Sequence, residues 1–235
     1  MILDPFIEGQ NGYRTALTER QWIDFGAALR QVHTAQPPPE ISRGIPRETF
    51  DPRWREAVRA FQAQVDGSIY PEPVAAKLAA FMRLRSAEIR FVVERAADLA
   101  GELQAHPPQF VLCHSDVHAG NILIAAEGAV YIVDWDAPIF APKERDLQLI
   151  GGSAAWNDPR QAAWFYQGYS STDVDHTALA YYRYERVIWD IAAYCEQLLL
   201  SDEGGEDREQ SYEYFASNFL PGHEIDFARE ADSQT

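Results

Sequence analysis

The sequence predicts a mainly helical protein with one small β-hairpin inserted into it. Three observations carry that expectation. Apolar residues recur at helical spacing along most of the 235 residues. One stretch, residues 110–133, changes texture to short apolar runs about a turn. Prolines gather where the helical stripes end, as expected of a residue that lacks the backbone N–H and clashes with the preceding turn.

Taken in order, residues 1–8 read as a short strand running into a turn at Gly9-Gln10-Asn11-Gly12. Thr18 with Gln21 has the form of a capping box. The stripe Trp22, Phe25, Leu29 and Val32 follows and stops by Pro37-Pro38-Pro39. Residues 40–50 read as loop. Asp51-Pro52 opens a second helix bearing Trp54, Val58, Phe61 and Val65. One long helix is expected after Pro73, with Leu78, Phe81, Leu84, Val92, Leu99 and Leu103 on its face, ending at His106-Pro107-Pro108. Ile122-Leu123-Ile124 and Val130-Tyr131-Ile132-Val133 flank Glu127-Gly128, a hairpin pattern. Helices return near Pro159 and after Asp175, and a last amphipathic stretch carries Tyr212, Phe215 and Phe219. Residues 224–235 read as a polar, flexible tail. One domain over residues 1–235 is the simplest organisation.

Composition narrows the function. The chain is 46% hydrophobic and 24% charged, with no apolar run near the roughly 20 residues of a membrane span. The net charge of −16 speaks against nucleic acid or an anionic membrane as partner, since both need a basic footprint. It suits a cationic small molecule, and equally suits plain solubility. The two cysteines, Cys113 and Cys195, lie in apolar segments and read as buried thiols of a reducing compartment, the cytoplasm.

The chemistry concentrates in the inserted segment, Cys113-His114-Ser115-Asp116-Val117-His118-Ala119-Gly120-Asn121 and, later, Val133-Asp134-Trp135-Asp136. A two-residue turn centred between Glu127 and Gly128 would pair Asn121 with Asp134, on one face of the hairpin. Asp116, on the preceding loop, reaches the same place. Three oxygen-bearing side chains converging there make a site for a hard cation such as Mg²⁺. A carboxylate beside it can take a proton from a hydroxyl nucleophile.

The pattern Asp-x4-Asn, a hairpin and a second Asp resembles the core of the kinase-like phosphotransferases. Its form here, His114-x-Asp116-x-His118-x-x-Asn121-Ile122-Leu123 with Val133-Asp134-Trp135-Asp136, is most similar to the aminoglycoside phosphotransferase family. Arg145-Asp146-Leu147, the hinge-like Pro5-Phe6-Ile7-Glu8-Gly9 and the aromatic helix from Tyr181 to Trp189 agree with it. The hinge and first helix lean toward the spectinomycin kinase branch. The resemblance implies the C-terminal lobe of the protein-kinase-like α+β fold. It implies Asp116 as catalytic carboxylate, Asn121 and Asp134 as Mg²⁺ ligands, and Asp136 as a secondary metal or substrate contact. It further implies His114 and Asp146 as supports of the loop, leaves His118 between structure and site, and puts Phe6 and Ile7 at the nucleotide hinge. The donor would be ATP or GTP, and the acceptor an aminoglycoside-like or other small polar molecule.

One feature is discordant. A kinase-like nucleotide lobe carries a Gly-rich loop and a Lys–Glu pair. This sequence has no G-x-G-x-x-G, and its lysines are Lys77 and Lys143, neither ahead of the hinge. The nucleotide lobe is therefore expected to be missing and turnover impaired. The face it leaves would be covered by self-association or a partner chain. Two alternatives stay open: a substrate-binding module without turnover, and a metal-dependent hydrolase using the His-rich loop.

Overall fold

The computed structural model describes residues 7–201, 205 and 207–235. The chain divides into two compact units. One comprises Met1–Thr49 with Pro108–Leu179, the other Phe50–Pro107 with Ala180–Thr235.

The first unit holds the strands. β1 (Gly9–Asn11), β3 (Ile122–Ala125) and β4 (Val130–Ile132) form an antiparallel sheet in the order β1-β3-β4. A second antiparallel pair joins β2 (Phe110–Cys113) to β5 (Ile139–Pro142). The strand expected over residues 1–8 lies mostly outside the described residues; Ile7 and Glu8 are not in a strand, and pairing begins where the turn was expected.

The expected hairpin is present, but its register differs by one residue. Ile122 faces Ile132 and Ile124 faces Val130, so Asn121 lies opposite Val133 rather than Asp134. The cause is the turn. Ala125 N donates to Ala129 O at 2.9 Å and Gly128 N to Ala125 O at 2.8 Å, which closes a three-residue loop. Gly128 takes φ +90°, a conformation that glycine adopts without steric cost.

α1 (Glu19–Thr34) begins with the expected capping box: Gln21 N donates to Thr18 Oγ1 and Thr18 N donates to Gln21 Oε1. Its stripe of Trp22, Phe25 and Leu29 meets Phe165, Tyr169, Trp156, Leu147 and Ile122 in the core of this unit. α2 (Pro39–Ser42) occupies part of the expected loop, and α6 (Glu144–Leu147) follows β5. α7 (Pro159–Tyr169), capped by Asp158, crosses α1 at two glycines. A Cβ on Gly26 would sit 2.0 Å from Phe165 O, and one on Gly168 would sit 1.8 Å from Ile23 O. The two helix backbones thus touch, which any larger residue would prevent.

The second unit is helical: α3 (Arg53–Gly67), α4 (Pro73–Leu84), α5 (Ser86–Ala105), most of α8 (His176–Leu199), α9 (Asp207–Ser217) and α10 (Glu224–Asp232). The long helix expected after Pro73 is two helices, broken at Arg85. The guanidinium of Arg83 turns to the end of α3, where Nε donates to Val65 O at 2.9 Å. Residues 224–235, expected as a flexible tail, instead carry α10, whose Ile225, Ala228 and Ala231 are buried. Arg95 clamps its end through Nε and Nη2 to Asp232 at 3.0 and 2.7 Å, and the Tyr184 hydroxyl donates to the same carboxylate. No helix among the described residues is long and apolar enough to cross a membrane.

Candidate active site

The loop between β2 and β3 carries His114, Asp116, His118 and Asn121. Cys113 ends β2 fully buried, its thiol pushed well up by that burial and then by nearby Asp146. The next two residues turn sharply, and Ser115 takes φ 76°. Left-handed backbone costs a non-glycine residue roughly 1–2 kcal/mol, so neighbours must hold it. Asp146 does so. Its buried carboxylate accepts from His114 N at 2.8 Å and from Ser115 N at 2.7 Å, and the Ser115 hydroxyl donates to Ala137 O at 2.6 Å.

Asp146 is itself held from α1. His33 Nε2 lies 3.0 Å from its Oδ2, and His33 Nδ1 lies 2.7 Å from the Tyr169 hydroxyl. Burial, then Glu144, raises the Tyr169 phenol, so it stays a donor. Sequence reading missed His33 and Tyr169. The available signal was His33 itself, an imidazole one turn beyond Leu29 on an otherwise apolar stripe.

His33, Cys113 and Asp146 also bring three ligand-type atoms within 4.8 Å of one another. Each is engaged already: the two carboxylate oxygens by amides and imidazole, and the thiol by Ala141 O and Pro142 O at 3.6 and 3.5 Å. The cluster is a brace under the loop.

His114 is a strut between the loop and the segment that bears Asp134. Its Nε2 bonds Val133 O at 2.9 Å and its Nδ1 accepts from Asp116 N at 3.3 Å. Its ring meets Trp135 edge-on, with centroids 4.6 Å apart. With both nitrogens occupied, His114 has no lone pair to offer a metal, which weakens the hydrolase alternative.

Asn121 ends the short 3-10 turn Ala119–Asn121 and is buried. Its Nδ2 donates to Asp116 O at 2.9 Å and approaches Asp116 Oδ2 at 3.3 Å. Its carbonyl accepts from Val133 N at 2.9 Å, which sets Asp134 beside it along the chain. Asp134 itself takes φ 68° and is exposed. Asp134 thus follows the residue that lies opposite Asn121, in left-handed backbone, rather than facing Asn121 across the ladder. Asp136 is exposed two residues on. Phe6 lies outside the described residues; Ile7 is half-buried. Asn121 and Asp134 are oxygen donors of the type that hard divalent cations select, so the residue chemistry fits Mg²⁺.

A mainly helical chain with a small sheet and a loop of this build has the kinase-like phosphotransferase fold. The sequence model of the phosphotransferase enzyme family matches residues 1–182, and the chain belongs to that family. Among solved structures it is similar to spectinomycin phosphotransferase APH(9)-Ia in complex with ADP and spectinomycin. That match has TM-score 0.88 and 39% identity, and covers 97% of this chain and 70% of that one. An aminoglycoside phosphotransferase from Alicyclobacillus acidocaldarius (TM-score 0.63, 17% identity, 97% and 70% covered) shares the fold. So does choline kinase LicA from Streptococcus pneumoniae (TM-score 0.51, 13% identity, 90% and 64% covered). Comparison with curated proteins gives no match.

Proposed function

We propose that this chain carries the catalytic and substrate-binding part of a phosphotransferase that moves the γ-phosphoryl group of ATP or GTP to a hydroxyl of an aminocyclitol such as spectinomycin, or of a similar small polar amine. The observation that supports it is the contact of Asn121 Nδ2 with Asp116 on a braced loop, with Val133, the residue before Asp134, bonded to the Asn121 carbonyl. In this reading Asp116 orients the acceptor hydroxyl and takes its proton as the new O–P bond forms. Asn121 and Asp134 would hold Mg²⁺, which when bound neutralises charge on the phosphates. Asp136 would touch metal or substrate. His114 and Asp146 keep the loop in place, and Ile7 would lie near the nucleotide. The net charge of −16 favours approach of an amine-bearing substrate. The two buried free thiols suit the cytoplasm.

A second reading, a substrate-binding module without turnover, is favoured by one observation. Both lysines face carboxylates: Lys77, on α4, pairs with Glu209 and Glu213, and Lys143 lies 3.9 Å from Glu144. Losing charge neutralisation lowers rate more than substrate affinity.

Calorimetry with Mg-ATP and Mg-GTP, followed by mass spectrometry of spectinomycin incubated with each, separates the two. Phosphorylated product that vanishes in Asp116→Asn is expected. Substrate binding with no product from the parent chain would overturn the catalytic reading. Light scattering on residues 1–235 tests the expected self-association, and a stable monodisperse monomer counts against it.

A further inference from the structure

We propose that His118 is a positioning residue for the catalytic carboxylate, its imidazole locked so that the ring N–H faces Asp116. This rests on the role given to Asp116 above. His118 Nδ1 accepts from Gly120 N at 3.0 Å, and the Tyr13 hydroxyl lies 3.4 Å from the same nitrogen. A ring nitrogen that accepts a backbone N–H carries no proton of its own, so the proton sits on Nε2. Nε2 lies 3.4 Å from Asp116 Oδ2. That is longer than a formed hydrogen bond, as catalytic contacts often are before substrate binds.

Two neighbours define the ring's pose. Tyr13 stacks on it, with centroids 5.9 Å apart and planes 28° from parallel. The backbone at Gly120 presses on its edge, where a Cβ would stand 2.6 Å from His118 Cε1 and 3.0 Å from Tyr13 Cε2. The Gly120 amide holds Nδ1. On the carboxylate side, Asn121 Nδ2 approaches the same oxygen, Oδ2, at 3.3 Å. Asp116 is half exposed, and His118 Nε2 and Asn121 Nδ2 face its Oδ2 from two directions, placed to orient it toward a hydroxyl.

A simpler role would also explain the Gly120 bond: His118 as nothing more than the cap of the 3-10 turn. The two roles use different nitrogens, which amide side chains can imitate one at a time. The Asn amide reaches the position of Nδ1, and the Gln amide reaches that of Nε2. In His118→Asn the cap survives and the donor to Asp116 is lost; in His118→Gln the donor returns. With Mg-ATP and spectinomycin, kcat is expected to fall about tenfold or more in His118→Ala and His118→Asn at nearly constant KM, within the ~10²-fold that a misplaced group costs. His118→Gln recovers most of it. A His118→Asn variant with the parent's kcat overturns the proposal.

A readout independent of turnover is the imidazole ¹⁵N spectrum. The Nε2–H tautomer is expected, with an Nε2 signal that moves in Asp116→Asn. The Nδ1–H tautomer, or a His118 signal indifferent to Asp116→Asn, overturns it as well. If the spectra behave as expected while the parent gives no product, it is the catalytic reading that fails and the contact that stands.

Discussion

Asp146→Asn is the most incisive test of the brace under the catalytic loop. The change keeps size and shape but replaces one acceptor oxygen with an NH₂ group. Oδ2 accepts from His114 N and faces His33 Nε2, whereas Oδ1, among the described residues, accepts from Ser115 N. The amide will therefore keep its oxygen at the Oδ2 position and turn its NH₂ toward Ser115 N–H, donor against donor. One hydrogen bond to a charged acceptor is lost, about 1.5–3 kcal/mol. Ser115 also sits at φ 76°, a conformation that the lost bond helped to hold. The expected destabilisation is about 2–3 kcal/mol, or a fall in melting temperature of roughly 4–12 °C for a chain of this size. Hydrogen exchange should locate it, with protection falling at Ser115 and surviving at His114. A variant that melts within a degree of the parent, with Ser115 still protected, would refute the reasoning.

Other expectations follow from the same geometry. Gly168→Ala should destabilise by about 1–3 kcal/mol or more, because its methyl would meet the Ile23 carbonyl at 1.8 Å; urea unfolding measures it, and a neutral result would mean that α1 and α7 are not in backbone contact. Asp232→Asn should lower stability at neutral pH. Hydrogen bonding to Arg95 holds the Asp232 carboxyl below its ordinary range. Its contribution is therefore present above the unfolded carboxylate pKa and lost as pH falls through the lower folded value, so the gap in melting temperature should close below about pH 4. Thr18→Ala should cost about 1 kcal/mol by removing the hydroxyl that accepts from Gln21 N, while the Thr18 N–H keeps its bond to Gln21 Oε1, read as a small, uniform shift in urea midpoint.

What the sequence made legible was local. The capping box at Thr18 and Gln21 and the stripe Trp22-Phe25-Leu29 lie within one helix, so spacing alone exposed them. The residues of the loop, from His114 to Asn121, were visible as a motif. Where reading failed, a distant partner or a turn conformation decided the outcome. No proline or glycine marks the break at Arg85, and the interaction beside it is Arg83 reaching back to α3. The apolar positions Ile225, Ala228 and Ala231 are diluted among charges, and Asp232 meets an arginine 137 residues away. The hairpin slipped by one because Glu127-Gly128 reads as a two-residue turn, whereas Gly128 at φ +90° supports three. His33 was missed because its purpose, Asp146, lies on another element.

The left-handed backbone at Ser115 has a consequence for how this protein can vary. The loop bends against the preference of its own side chain, and a carboxylate 31 residues later supplies the restraint. Shape and support are thus encoded in separate places, and a change in one is tolerated only if the other adapts. Ser115→Gly removes the steric penalty, so a chain bearing it should forgive substitutions at 146 that the present sequence does not.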